Sequence, residues 1–249
     1  MSCLRFYGLT DRGTKRENNE DYILVPNVTD ELKLFIVADG MGGANGGEVA
    51  SKEATERAEN YIKSEFSKIS HEREDIEKLI RTAMERANKY IYEKAKAYEQ
   101  YKGMGTTMII VIIYRGKAYI GHVGDSRVYR FRKHVIRQLT KDHSYVQALL
   151  KEGTITKDEA RNHPQKNVLL KVLGCEKNLE PDVFTKGFIK DDILLICTDG
   201  LTNMLEEKDI YETIMKHKDY LKDACSALIN NANMLGGLDN ISVVLISND

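Results

Sequence analysis

The 249-residue chain has no tryptophan, three prolines and four cysteines, and these shortages narrow the field before any motif is read. Cys3, Cys175, Cys197 and Cys225 lie far apart and form no Cys-x-x-Cys, which argues against a zinc site and a disulfide framework. No apolar run approaches the roughly 20 residues that a membrane span needs, and the opening MSCLRFYGLTDRG lacks the basic-then-apolar profile of a signal segment. The expectation is a cytoplasmic protein without membrane insertion. An excess of one charge is missing too: 37 Lys and Arg stand against 38 Asp and Glu, a net charge of −1. With no dense basic block, a nucleic-acid or anionic-membrane partner is unsupported. Mixed clusters such as His71-Glu72-Arg73-Glu74-Asp75 read as solvated helix surface. No Gly/Ser linker or internal repeat divides the chain, so residues 1–249 are expected to form one domain, a size that a single core still serves.

Hydrophobic periodicity supplies the elements. Val49, Ala50, Ala54, Ala58, Tyr61, Ile62 and Phe66 make one helical stripe over 48–66. Ile76, Leu79, Ile80, Ala83, Ala87, Tyr90, Ile91, Ala95 and Tyr98 predict a second helix of about seven turns. From Thr107 the pattern changes to β-branched and aromatic runs, TMIIVIIY, KAYIGHV, VYRF and VIRQL, with turns at Arg115-Gly116 and Gly124-Asp125. This predicts an antiparallel meander. Short helices near 144–151 and 157–162 follow, the second with Thr156 as its N-cap; strands return at 183–188, 193–198 and 241–247, the last two bracketing helices near 207–216 and 221–235. Strands that meander while helices come in pairs predict an α+β fold, antiparallel sheets layered with helices.

Four apolar strand-like stretches run into or out of an aspartate: LFIVADGMGG at Asp39-Gly40, AYIGHVGDSR at Asp125, ILLICTDG at Asp199-Gly200 and DNISVVLI at Asp239-Asn240. An aspartate beside a buried strand is costly to desolvate, so four of them point to a shared compensating charge, a cluster of divalent cations. The glycine-rich turn after Asp39 is not a nucleotide P-loop, because Glu48 stands where that motif requires lysine. Carboxylates and a backbone carbonyl, with no histidine adjacent to Asp39, Asp199 or Asp239, favour Mg²⁺ or Mn²⁺ over Zn²⁺. Two such ions sharing a water would make a phosphohydrolase centre. A cysteine nucleophile in a phosphate loop would need an arginine six positions on, and those positions are Leu9, Pro181, Asn203 and Asn231. In TDRGTKRENNEDYILV, Arg16 offers a planar fork for a phosphate, with Glu20 and Asp21 beside it.

Arg16 with Asn19-Glu20-Asp21, Asp39-Gly40-Met41-Gly42-Gly43, Gly105-Thr106-Thr107, Gly124-Asp125-Ser126-Arg127, Asp199-Gly200 and Asp239-Asn240 occur in the order of a known family. The chain resembles, over nearly its whole length, the metal-dependent serine/threonine protein phosphatases of the PPM, or type-2C, family. Lys141-Asp142-His143-Ser144 and Asn162-His163-Pro164-Gln165-Lys166-Asn167 resemble its compact bacterial branch. The resemblance implies a four-layer sandwich of two antiparallel β-sheets flanked by pairs of α-helices. It implies that Asp39 bridges two Mn²⁺ or Mg²⁺ ions, that the Gly40 carbonyl completes one, and that Asp199 and Asp239 bind the other. These three aspartates would be the catalytic set. Asp125 would join Asp199 at a third, weaker metal, Arg16 would clamp the substrate phosphate, and Glu20 and Asp21 would orient metal waters or add an outer ligand. Residues 144–173 would form a variable flap beside the cleft. The implied partners are phosphorylated proteins, including a cognate bacterial serine/threonine kinase whose action the enzyme reverses, with the chain a monomer.

One position departs from the animal pattern. Met41 stands where those members carry a histidine proposed as general acid, and a thioether donates no proton. His122, three residues before Asp125, is a candidate replacement whose structural reading is nonetheless preferred; His143 and His163 read as loop-stabilising. The competing function is a regulatory module of the same fold that binds phosphoproteins with little or no hydrolysis. The intact aspartate positions favour the enzyme.

Overall fold

The long strands are apolar on both faces, and this decides the layering. In the computed structural model, which describes residues 4–27, 31–42 and 46–249, β3 (Lys33–Met41), β5 (Met108–Tyr114) and β6 (Lys117–Val123) alternate between two different cores. Leu34, Ile36, Met108, Ile110, Ile112 and Tyr119 face helices, whereas Phe35, Val37, Ile109, Val111, Ala118 and Ile120 face a second sheet. In that second sheet β10 (Ile193–Cys197) and β11 (Ile241–Asn248) do the same: Leu194, Ile196, Val244 and Ile246 point to the sheet–sheet core, and Leu195, Val243 and Leu245 to helices. Antiparallel sheets wetted on one face would show polar alternation. Both of these are covered twice, so their strands read as continuous apolar runs.

The remaining strands are β1 (Leu4–Asp11), β2 (Asp21–Leu24), β4 (Gly105–Thr106), β7 (Arg127–Arg132), β8 (Val135–Gln138) and β9 (Asp182–Gly187). One sheet has the order β2-β3-β5-β6-β9, with β4 paired to the end of β3; the other has β1-β11-β10-β7-β8. The pairings along both sheets are antiparallel. Helices α1 (Gly46–Phe66) and α2 (Arg73–Ala97) cover the first sheet with the stripes Ala50, Ala54, Ala58, Ile62 and Ile76, Ile80, Ala83, Ala87, Ile91. Contact is close: a Cβ on Gly121 of β6 would stand 2.3 Å from the Ile80 side chain. Helices α6 (Glu207–Lys216) and α7 (Leu221–Met234) cover the second sheet through Ile210, Ile214, Leu228 and Ala232. The architecture is the expected four-layer α+β sandwich. Among the described residues no helix is long and apolar enough to cross a membrane.

The short helices α3 (Tyr145–Glu152) and α4 (Lys157–Asn162) occupy the expected interval, each with a side-chain N-cap, Ser144 and Thr156. The segment is tied back by bridges pairing Ser144 with Leu169 and Thr106 with Leu173. A further helix, α5 (Asp199–Thr202), is a single turn after β10. Strand β1 has no counterpart among the expected strands. It is half-buried at every position, and Arg5 and Gly8 interrupt its apolar residues, yet it pairs with β11 along its whole length, Leu4 with Asn248 through Asp11 with Ile241. Cys3 and the Gly43-Ala44-Asn45 part of the glycine-rich turn lie outside the described residues.

Candidate metal-dependent active site

Chain segments from both sheets deliver acids to one edge of the sandwich. Asp39 lies near the end of β3 and Asp21 opens β2 directly opposite it, in register. Asp125 sits in the turn that carries the chain from β6 in one sheet to β7 in the other, Asp199 follows β10, and Asp239 precedes β11. Topology thus brings together residues up to 218 positions apart.

Hydrogen bonds from neighbouring side chains hold the backbone at this edge. The Thr106 hydroxyl and the Thr107 N–H both donate to the Asp39 carbonyl, at 2.9 and 2.8 Å, and the Asp39 N–H donates to Thr107 Oγ1 at 3.0 Å. Thr198 Oγ1 donates to Asp21 Oδ2 and accepts from the Ser242 N–H, both at 2.9 Å, tying the second sheet to the first. Asn240 Nδ2 donates to the carbonyls of Arg12 and Asn18, each at 2.9 Å, while its Oδ1 accepts the Glu20 N–H at 2.8 Å, so one amide fastens the whole Arg12–Glu20 loop. Gly40 is required by space. A Cβ there would meet the Gly47 carbonyl oxygen at 2.1 Å. The Glu20 carboxylate lies against the N-terminus of α1, accepting from the Gly47 backbone.

The electrostatics of this edge are those of uncompensated negative charge. Burial, then the charges of Asp21, Asp199, Asp125 and Asp239, hold the Asp39 carboxyl well above the usual carboxylate range. Burial pushes Asp125 up to about 8, with Asp199 adding to it. Asp21 is pushed to about 7 by burial, against hydrogen bonds from Ser242 and Thr198. Asp199 is raised by burial and by Asp239, and Glu20 by burial against the opposing pull of Arg16. Among the described residues, the one cation ion-paired to any of these five aspartates is Arg16, whose Nη2 donates to Asp239 Oδ2 at 2.8 Å. Asp21 Oδ1 is buried without any hydrogen-bond partner. An all-oxygen donor set with an orphaned buried carboxylate oxygen fits hard divalent cations.

A second group of potential ligands lies behind Asp125. His122, His143 and Asp182 have one ligand atom each within 4.8 Å of one another, the one such group of three among the described residues; the carboxylates of the edge are more widely spread. Its hydrogen bonding argues against a metal. The Gly124 N–H donates to His143 Nδ1 at 3.1 Å, which leaves the proton of the neutral ring on Nε2, 3.3 Å from Asp182 Oδ2. A ligating histidine has the opposite arrangement, with the far nitrogen donating. His143 instead clamps Gly124 twice, since its own N–H also donates to the Gly124 carbonyl at 2.8 Å. His122 is fully buried and stacked on His143 at 4.7 Å, and burial lowers it to about 3. It is neutral at neutral pH and so does not act as an imidazolium general acid. His163 Nδ1 accepts the Gln165 N–H at 3.1 Å within its own loop.

The family model described as protein phosphatase 2C matches residues 11–239. The chain belongs to the protein phosphatase 2C family. This 2C chain is 42% identical over 240 residues to the serine/threonine phosphatase Stp of Listeria monocytogenes, covering 96% of this chain and 94% of that one. The Streptococcus agalactiae serine/threonine phosphatase superposes with a TM-score of 0.90 at 37% identity, covering 99% of this chain and 100% of that one. The catalytic domain of the serine/threonine protein phosphatase PstP, solved with two manganese ions, superposes with a TM-score of 0.85 at 29% identity over 99% of each chain.

In the sequence, Gly105-Thr106-Thr107, Ser126, Arg127 and Asn240 stand out only as parts of motifs. Their work is now visible: the threonines fix the Asp39 backbone, Ser126 Oγ lies 2.9 Å from Thr107 Oγ1, and Arg127 grips Asp142 through contacts of 2.7–3.1 Å. Thr198 was not singled out at all. Its position directly before Asp199, at the end of an apolar strand, was the available signal.

Proposed function

We propose that this chain hydrolyses phosphoserine and phosphothreonine in proteins, using water activated at a Mn²⁺ or Mg²⁺ centre held by Asp39, the Gly40 carbonyl, Asp199 and Asp239, with Asp125 at a third, weaker position. The observation that carries the reading is the gathering of Asp21, Asp39, Asp125, Asp199 and Asp239 at one edge, with a buried Asp21 oxygen left unpartnered and Arg16 the one cation ion-paired to the set among the described residues. Bound there, such ions supply Lewis-acid charge and lower the pKa of water toward neutrality. The manganese in the PstP structure and the name of the Listeria relative support the same reading.

The chain's own residues do the positioning. Asp39 is presented by a backbone that Thr106 and Thr107 hold at both its N–H and its carbonyl, which fixes where its side chain starts. Asp21 and Glu20, held by Thr198 and by the start of α1, line the same edge and suit outer-sphere roles. Arg16, half-exposed on the rim, offers its fork to phosphate oxygens. Neither Met41 nor the neutral His122 supplies the leaving alkoxide with a proton, so that proton is assigned to solvent in the cleft. On this reading residues 1–249 act as one cytoplasmic, monomeric catalytic unit, residues 144–173 form a flap, and a serine/threonine kinase of the same cell is among the substrates.

The test is hydrolysis of a phosphothreonine peptide with Mn²⁺, Mg²⁺, Zn²⁺ and EDTA in parallel. Turnover with Mn²⁺ or Mg²⁺ and none in EDTA is expected. Activity that survives EDTA overturns the mechanism.

A further inference from the structure

The loop that delivers Asp239 also holds three large apolar side chains out in solvent. Met234, Leu235 and Leu238 are 84%, 61% and 55% exposed. Single exposed apolar residues are ordinary, but three within five positions make a patch. The loop beneath them is pinned. The Gly237 carbonyl accepts from the N–H groups of Thr14 and Lys15 at 2.9 and 3.3 Å, the Gly236 carbonyl accepts the Thr14 hydroxyl, and Asn233 Nδ2 donates to Asp11 at 3.0 Å. Gly237 has a φ of +49°, and a Cβ there would strike Asn233 Oδ1 at 2.4 Å, so this turn needs glycine. The loop backbone beneath the patch is held before anything binds, which lowers the ordering cost of binding.

Its position identifies the occupant. Leu238 is one residue from Asp239, about 3.8 Å in Cα spacing. The Thr14–Arg16 segment that pins the loop carries Lys15 and Arg16, both exposed, so apolar surface and positive charge adjoin at the rim of the carboxylate edge. We infer that Met234, Leu235 and Leu238 form a docking surface for a large apolar side chain within two or three residues of the phosphorylated residue in an extended substrate segment. This rests on the phosphoprotein phosphatase reading above and adds a sequence preference to it.

The experiment measures kcat/KM with saturating Mn²⁺ for p-nitrophenyl phosphate and for phosphothreonine peptides that carry leucine or serine at the positions flanking the phosphoresidue on each side. Wild-type protein is compared with Met234→Ser/Leu235→Ser and with Leu238→Ser. Wild type is expected to favour leucine-flanked peptides on one side by about 10-fold, the low end of what an apolar pocket contributes. The variants should reduce that preference to below about 3-fold while hydrolysing p-nitrophenyl phosphate at the wild-type rate, which also reports intact folding. Equal rates on leucine and serine peptides in wild type, or an undiminished preference in both variants, overturn the docking surface and leave the phosphatase reading standing. Failure to hydrolyse any of these substrates overturns the phosphatase reading, and the docking surface with it. A wild-type dimer that the variants dissociate, without change in peptide preference, assigns the patch to a second copy of the chain and overturns the proposal.

Discussion

Strand β10 has an aspartate outside each end, and the two are treated in opposite ways. Asp192, before the strand, is fully buried and neutralised from within: Arg132 donates to both its oxygens, at 2.6 and 2.5 Å, and the Ile189 N–H adds a third bond at 2.8 Å. Asp199, beyond the other end, receives a bond from Asn203 and a weaker pull from Arg127, yet burial and Asp239 still raise it. The difference separates structure from function. A buried charge that the fold needs is matched by the fold, whereas a cluster left unmatched makes a folded chain that is incomplete without a ligand.

The sharpest break of this comparison uses one kind of substitution at both places. Asp39→Asn or Asp239→Asn is expected to lower turnover by about 10³-fold or more, since the centre loses a charge at which the transition state is stabilised. An Asp39→Asn enzyme that keeps more than a tenth of wild-type activity in saturating Mn²⁺ would remove the bridging role. In EDTA the same variant should melt at or above the wild-type temperature, because one repelling charge is gone. Asp192→Asn should do the reverse. It leaves Arg132 without its partner and is expected to cost about 3 kcal/mol, or roughly 6–12 °C in Tm, with little effect on kcat. Equal destabilisation by both substitutions would erase the distinction drawn between the two sites.

pH sharpens the same contrast. Asp21 at about 7 and Asp125 at about 8 are raised above the unfolded carboxylate value near 4. The folded state therefore binds more protons at these groups between these limits, so in EDTA their contribution to stability is fully present below about pH 4 and declines as pH rises to about 8. The carboxylates titrate as a coupled set, so a broad transition is expected. Mn²⁺ should reverse the slope, since ligation needs the ionised forms. Thermal melts from pH 5 to 8 with and without Mn²⁺ check this; parallel curves would mean that the cluster does not take up the ion.

What the sequence made legible follows the same division. Doubly covered strands leave long apolar runs, and an aspartate at the end of such a run is conspicuous because its desolvation has no local remedy; Asp39, Asp125, Asp199 and Asp239 all carry that mark. Thr198 and Asn240 did not reveal their roles, whereas His143, read as loop-stabilising, does clamp Gly124. Asn240 bonds the loop at Arg12, Asn18 and Glu20 from at least 220 positions away, and no periodicity encodes such a pairing. Strand β1 escaped for a different reason. As an edge strand it is half-buried throughout, so its signal was diluted, and its place was set by the fully buried β11 beside it.

Arg16 belongs to both sides of the comparison, and its removal has the smallest expected effect. Its guanidinium pairs with Asp239 at 2.8 Å, but both side chains are substantially exposed, 49% and 34%, so the pair adds little to stability in water. An exposed arginine that touches the cluster at one oxygen keeps donors for a phosphate while Asp239 is free to turn to a cation. Arg16→Ala is therefore expected to raise KM for a phosphopeptide about 10-fold with a smaller change in kcat, the pattern of lost ground-state binding, and to leave Tm within about 1 °C. Arg16→Lys should recover only part of the loss, because a point charge lacks the planar fork. A fall in kcat with KM unchanged would place Arg16 with the unmatched acids, as a group that acts in the transition state, and would move the boundary between the two regions to include it.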